Sequence, residues 1–278
     1  IRKRNEYSRK NYFYADLPKG YQITQDTTPI CTGGHIEIKD KDGNEKKINI
    51  TRIHMEEDAG KSIHDLDPFF SLVDLNRAGV PLIEIVTEPE INSSIEAYNC
   101  IQEIRKLTRY IGICDGNMEE GSLRCDANVS VRVKGEKEFG TKVEIKNMNS
   151  SSNVKKAIEF EINRQIELLE QGEDVAHETR NYNATSSKTM SMRHKEEAND
   201  YRYFPEPDLP PIKITEQYIK EIKKSLPPLP KQLFIKFTRE FCLSDYDTNI
   251  LIEEKEIALY FLEITKYNKN YKLIANMI

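Results

Sequence analysis

Between Leu123 and Val133 every second side chain is apolar. Leu123, Cys125, Ala127, Val129, Val131 and Val133 alternate with Arg124, Asp126, Asn128, Ser130 and Arg132. A period of two places the first set on one face of an extended strand and the second on the other. The fold must therefore contain a sheet that is covered on one side and polar on the other. After a Gly-bearing turn, Lys142, Glu144 and Lys146 alternate with Val143 and Ile145. This predicts a second strand and a hairpin whose polar face carries acids, bases and an amide.

Other segments supply further strands and two long helices. Ile36 and Ile38 precede Asp42-Gly43, and Ile48 and Ile50 follow it, a hairpin pattern whose second strand runs into His54-Met55-Glu56-Glu57-Asp58. A pair of short strands is expected at Leu72 to Leu75 and Pro81 to Val86, joined by Asn76-Arg77-Ala78-Gly79. Ser93 with Glu96 forms a capping box ahead of Ile104, Leu107 and Ile111, and Gly112 ends that helix. Val154, Ala157, Ile158, Ile162, Ile166 and Leu169 mark the second helix, stopped at Gly172. Leu226-Pro227-Pro228-Leu229-Pro230 reads as a boundary, with helical patterns beyond it. The expected layout is α+β, with one domain over residues 1–226 and the start of an all-helical domain over 227–278.

No run of about 18 apolar residues exists, so no spanning helix is expected, and the first residues lack the apolar core of a secretory signal. Forty-one Lys and Arg against 46 Asp and Glu give a formal charge of −5, which argues against a uniformly basic nucleic-acid coat. The five cysteines are widely spaced and never form Cys-x-x-Cys, so neither a disulfide scaffold nor a structural zinc site is expected. A reducing compartment, the cytoplasm, fits them best. The chain begins with Ile and stops within an apolar pattern, and it is read as a piece of something longer.

Three acidic clusters interrupt the strand patterns: Glu56-Glu57-Asp58, Glu84 inside Leu82-Ile83-Glu84-Ile85, and Glu119-Glu120 ahead of Asp126. Glu84 is the most informative, because a carboxylate in an apolar strand must face solvent, find a partner or hold a cation. His54, alone at a strand end, is read as a structural residue in preference to a ligand or base. There is no phosphate-binding glycine loop and no Gly-x-Ser-x-Gly nucleophile elbow, so amide hydrolysis by this chain alone is disfavoured.

Long ordered words in the chain nevertheless resemble the B-type subunit of the aspartyl/glutamyl-tRNA amidotransferases. They are Ser8 to Tyr14, His54 to Lys61, Asp74 to Ile85, Asp115 to Asn128, Lys146 to Ser150 and Asp200 to Pro211. The resemblance covers nearly all of the chain, most loosely after Leu226. It implies a cradle-like domain of mixed and antiparallel sheet with flanking helices, followed by a helical tRNA-binding domain. It further implies a ligase that uses ATP and Mg²⁺ to phosphorylate the side-chain carboxylate of Glu-tRNA or Asp-tRNA. Ammonia released from glutamine by an A-type amidase (glutaminase) subunit, in a complex that includes a small C-type subunit, then displaces the phosphate.

By this resemblance Glu57 and Glu84 belong to a catalytic metal site, and Asp126, Phe139 and Glu144 line a nucleotide pocket. Lys10 and Glu57 match polar residues of an ammonia route. Arg124, Lys146 and Arg193 are additional candidates for phosphate or tRNA 3′-end contacts. The family's amino-terminal strand, which carries further metal ligands, and its tail domain are missing, so these 278 residues alone are expected to be inactive. A bacterial cytoplasm is the expected location, with an organellar matrix as the alternative. The competing reading is a scaffold that docks tRNA and partner subunits without doing chemistry.

Overall fold

The computed structural model describes residues 1–63, 66–192 and 201–278. They form two compact units that interleave along the chain. The first comprises the described residues of Ile1–Ile36, Lys47–Glu90 and Glu196–Lys224, and the second those of Glu37–Lys46, Ile91–Lys195 and Ser225–Ile278. The chain passes from the first unit to the second between Lys224 and Ser225, beside the expected boundary, but the second unit also takes in Glu37–Lys46 and the described residues of Ile91–Lys195.

The chain opens with short strands: β1 (Arg4–Asn5), β2 (Ser8–Asn11), β3 (Tyr21–Thr24) and β4 (Cys31–Thr32). Next come β5 (His35–Lys39) and the long β6 (Glu45–Glu57), with Gly43 at positive φ in the turn between them. Asp40 fixes that turn by accepting the backbone N–H groups of Asp42 and Asn44, both at 2.8 Å. Strands β7 (Lys61–Ile63), β8 (Leu72–Asp74) and β9 (Pro81–Thr87) follow. The two strands expected around residues 72–86 thus exist, but they do not pair with each other. β8 pairs with β7, and β9 runs antiparallel to β6 with Ile53↔Ile85, His54↔Glu84 and Glu56↔Leu82 in register.

The interior of the first unit is notably polar. Asn5, Gln22, Gln25, His54, Asp58 and Glu206 are all buried there. Gln25 shows how such groups are satisfied: its amide donates to Asn5 Oδ1 at 2.8 Å, and its Oε1 accepts from the backbone of Ile30 and Met55. The link to Met55 ties this loop to β6.

The second unit includes α1 (Ser94–Ile111), capped by the Ser93 hydroxyl and closed by Gly112 at φ 74°; the other half of the expected capping box is replaced, since the Glu96 carboxylate accepts the backbone N–H of Asn92 at 2.8 Å. Strands β10 (Ala127–Val129) and β11 (Val143–Lys146) precede α2 (Ser151–Glu170), which β12 (Thr179–Asn183) and β13 (Lys188–Ser191) follow. The sheet order is β10-β11-β12-β13, with β11 and β12 parallel and the outer pairs antiparallel. The ladder expected over Leu123 to Val133 is therefore confined to residues 127–129, and Val133 is exposed. Alternation alone sets faces. A ladder also needs a partner strand, and β11 reaches only as far as Val143 opposite Val129. The faces themselves persist beyond the ladder: Leu123, Cys125 and Ala127 pack toward Val129, Ile145, Val154, Ala157 and Tyr182, while Arg124, Asp126 and Asn128 are exposed.

Strands β14 (Phe204–Pro205) and β15 (Ile212–Lys213) return to the first unit, where they pair with β2 and β1. The remaining elements are helices: α3 (Glu216–Ser225), α4 (Pro230–Arg239), α5 (Asp245–Leu251), α6 (Lys255–Ile264) and α7 (Tyr271–Met277). Leu233, Phe237, Leu251, Ala258, Phe261 and Ile274 from the last four make a second core, which also takes in Tyr110 of α1. The Tyr110 hydroxyl donates to Ile252 O at 2.8 Å, so α1 and these helices share one interior within the second unit. Among the described residues the architecture is mixed α+β with several antiparallel sheets, seven helices and no closed barrel. No described helix is long and apolar enough to cross a membrane.

Candidate functional site

In the first unit, β6 and β9 bring three potential ligands to one place. His54 and Glu56 are two residues apart on β6 and share a face, and Glu84 is directly opposite His54 on β9. His54 Nε2 lies 3.5 Å from Glu56 Oε2 and 3.9 Å from Glu84 Oε2, and one ligand atom from each residue falls within 4.8 Å of the others. Burial is graded across the group. His54 is only 4% accessible, Glu56 is partly covered and Glu84 is open to solvent. Among the described residues no lysine or arginine pairs with either acid.

The geometry assembles Glu84 with His54 and Glu56, and leaves Glu57 out of the group. Period two turns the next carboxylate to the opposite face of β6, where Glu57 Oε1 accepts the Ile23 backbone N–H at 2.8 Å and pairs with Lys19. Sequence reasoning named Glu56 only as part of an acidic cluster and read His54 as structural, and the structure brings both beside Glu84. The His-x-Glu spacing on a predicted strand was the available signal, since it puts both side chains on one face. The juxtaposition with Glu84 follows from β6–β9 register, which spacing does not reveal.

Two carboxylates and an imidazole within reach of one point are a donor set for a divalent cation. The acids suit Mg²⁺ or Mn²⁺, and the imidazole widens the fit to Zn²⁺. His54 Nδ1 is buried and has no hydrogen-bond partner among the described residues, so the ring lacks the second contact that ordinarily orients a metal-bound imidazole. When bound, such a cation offsets negative charge on phosphate oxygens.

Lys10 lies on β2 opposite Gln22. Its ammonium is 4.5 Å from the ring centre of Tyr201 and 5.6 Å from that of Tyr12, both cation–π distances. The Tyr12 hydroxyl sits 3.4 Å from Gln22 Oε1, and Gln22 Nε2 donates to Glu57 O at 2.7 Å. Lys10 is thereby connected to the Glu57 backbone carbonyl through Tyr12 and Gln22. Burial, reinforced by the charge of Glu56 and Asp16, pushes the Tyr12 hydroxyl up to about 12, so it stays a neutral donor.

The second unit holds the other expected residues. Asp126, just before β10, and Glu144 on β11 converge on Lys146, whose Nζ lies 3.0 Å from Asp126 Oδ2 and 3.4 Å from Glu144 Oε1. Arg124 is on the same exposed face. Phe139 is exposed in the intervening turn, with the Arg132 guanidinium 4.6 Å above its ring. That turn folds tightly: a Cβ at Gly140 would come within 2.0 Å of Val131 O, so only glycine fits there. Arg193 lies outside the described residues.

This combination of elements has relatives. Residues 1–220 match the GatB/GatE catalytic domain, and the chain belongs to that family. The B-type subunit of the aspartyl/glutamyl-tRNA(Asn/Gln) amidotransferase from Rickettsia typhi is 55% identical over all 278 residues, and the chain covers 57% of it. The subunit of the same name from Thermodesulfovibrio yellowstonii is 54% identical over 274 residues, 99% of this chain and 57% of that protein. The one from Pseudomonas putida is 53% identical over the full chain, which covers 58% of it. The chain thus spans a little over half the length of the curated relatives it matches.

Proposed function

We propose that this chain is the ATP-dependent activating domain of a tRNA-dependent amidotransferase. Its substrate would be the side-chain carboxylate of Glu-tRNA(Gln) or Asp-tRNA(Asn), phosphorylated at the expense of ATP. Ammonia supplied from glutamine by the A-type amidase subunit would then displace phosphate to give Gln-tRNA(Gln) or Asn-tRNA(Asn). A small C-type subunit completes the proposed heterotrimer, and the complex works in the bacterial cytoplasm. The family match supports the reaction class. The observation that carries the chemistry is the grouping of His54, Glu56 and Glu84.

In this reading those three residues hold the divalent cation, which supplies neutralising charge for phosphoryl transfer. Asp126, Phe139 and Glu144 contribute to the nucleotide pocket. Glu57 works apart from the cation, in the polar link with Lys19, Gln22 and Lys10 that suits passage of ammonia. Arg124 and Arg193 remain candidates for phosphate or tRNA 3′-end contact. A phosphate loop is not required, because phosphoryl transfer depends on positioning and charge neutralisation rather than on a covalent nucleophile.

The test uses the full-length protein in its complex. Glu84→Gln is expected to slow phosphorylation of Glu-tRNA by at least about a hundredfold, with tRNA affinity and the partner's glutaminase activity retained. Unchanged phosphorylation would instead favour a scaffold that docks tRNA and partner subunits.

A further inference from the structure

Glu144 is constrained at both carboxylate oxygens. Oε1 faces the Lys146 ammonium at 3.4 Å, and Oε2 accepts the Thr179 hydroxyl at 3.1 Å. Lys146 also donates to Asp126 Oδ2 at 3.0 Å, so one ammonium joins the two acids. The sheet builds this directly: Lys146 is two residues beyond Glu144 on the same face, and parallel β12 sets Thr179 opposite Glu144. The backbone strengthens the placement, since Glu144 N donates to Glu178 O at 3.0 Å.

We infer that Thr179 and Lys146 are positioning residues that aim the Asp126 and Glu144 carboxylates at the nucleoside half of the nucleotide. Ionised carboxylates only accept hydrogen bonds. On ATP the groups able to donate are the ribose hydroxyls and the adenine amino group, and the ionised phosphates offer none. Two acids beside a triphosphate would repel it, whereas two acids sharing one ammonium leave a single net negative charge. Lys146 is thereby occupied with the acids instead of reaching for phosphate. The inference rests on the nucleotide reading above and names two residues that reading does not explain.

The experiment measures Mg²⁺–ATP binding by calorimetry to the full-length complex carrying Glu144→Gln, Thr179→Val or Thr179→Ser, with inorganic tripolyphosphate as a second ligand. Thr179→Val keeps the shape of the side chain and removes the hydroxyl. It is expected to weaken ATP about fivefold, with Thr179→Ser within about twofold of the parent and tripolyphosphate binding unchanged. If Thr179→Val weakens both ligands equally, its role is structural and the inference fails. If Glu144→Gln weakens ATP but Thr179→Val does not, positioning by Thr179 is wrong and the nucleotide reading stands. If Glu144→Gln also leaves ATP binding intact, the nucleotide reading itself falls, and this inference with it.

Discussion

The acids of the two units are handled in opposite ways. On the first unit, Glu56 and Glu84 flank His54 with no ammonium or guanidinium among the described residues paired to either. On the second, Asp126 and Glu144 share Lys146, and deeper in the same unit Glu161 is completely buried among two arginines. The first unit does not lack cations: it pairs Arg9 with Glu206, Lys19 with Glu57 and Arg77 with Asp58. They are withheld from Glu56 and Glu84. Carboxylates left without an internal counter-charge attract an external one, and carboxylates already neutralised become hydrogen-bond acceptors of fixed direction. The contrast separates a cation site from a recognition or structural role more sharply than acid content does.

The largest expected effect is at the fully neutralised end of this series. Glu161 Oε1 accepts from Arg164 Nη2 at 2.6 Å and from Gln165 Nε2 at 2.9 Å, and Oε2 accepts from the Thr189 hydroxyl at 3.0 Å. Arg180 approaches Oε2 at 3.5 Å. Glu161→Ala would remove a buried acceptor shared by Arg164, Arg180, Gln165 and Thr189, leaving the two guanidinium groups to Glu178 and the amide to Val129 O, so it is expected to destabilise the protein by about 3 kcal/mol in urea denaturation. A loss below about 1 kcal/mol would mean that solvent replaces the carboxylate and that the network is not buried in solution.

Next in size is a substitution that turns the first kind of site into the second. Glu84→Lys removes one candidate ligand and puts an ammonium opposite His54, diagonal to Glu56. Mn²⁺ affinity of the full-length protein is expected to fall roughly a hundredfold or more, as read by titration with the ion. Glu57→Gln, on the opposite face of β6, is the matched control and should leave Mn²⁺ affinity within about threefold. If Glu57→Gln costs as much as Glu84→Lys, the cation is held by a different set of acids.

What the residues disclosed in advance follows from the range of the forces involved. Alternation reports faces, and the faces of residues 123–129, the Ser93 and Gly112 ends of α1 and the Asp42-Gly43 hairpin appear as their patterns predict. Pairing is decided between segments distant in the chain. The strand at residues 72–74 finds β7, and Thr179 reaches Glu144 across 35 positions through a parallel crossover. The same limit explains the site. Glu84 stood out because an apolar strand makes a carboxylate conspicuous, but its partners came from register. Glu57 was placed with Glu84 by the family resemblance, and the pleat of β6 turns its side chain to the face opposite His54 and Glu56, toward Lys19 and Ile23.

The smallest effect tests whether a paired acid of the first unit behaves as one. Arg9 Nε and Nη2 donate to Glu206 at 2.7 and 2.8 Å, and the Asp208 backbone N–H adds a third bond at 3.0 Å. These hydrogen bonds, chiefly those of Arg9, hold the Glu206 carboxyl below its ordinary value of 4.5. Because the folded state binds the proton less readily than the unfolded chain, the unfolded state takes up more protons in this range and stability rises with pH. The contribution, on the order of 1–2 kcal/mol, is complete above the ordinary glutamate range and is lost as pH falls through the depressed value. Glu206→Gln should therefore be less stable than the parent at neutral pH and approach it as pH falls below the ordinary glutamate range, with a shallower decline between. Parallel stability curves for parent and variant would show that Glu206 is not held as a charged partner, and that the first unit leaves more than the Glu56–Glu84 pair uncompensated.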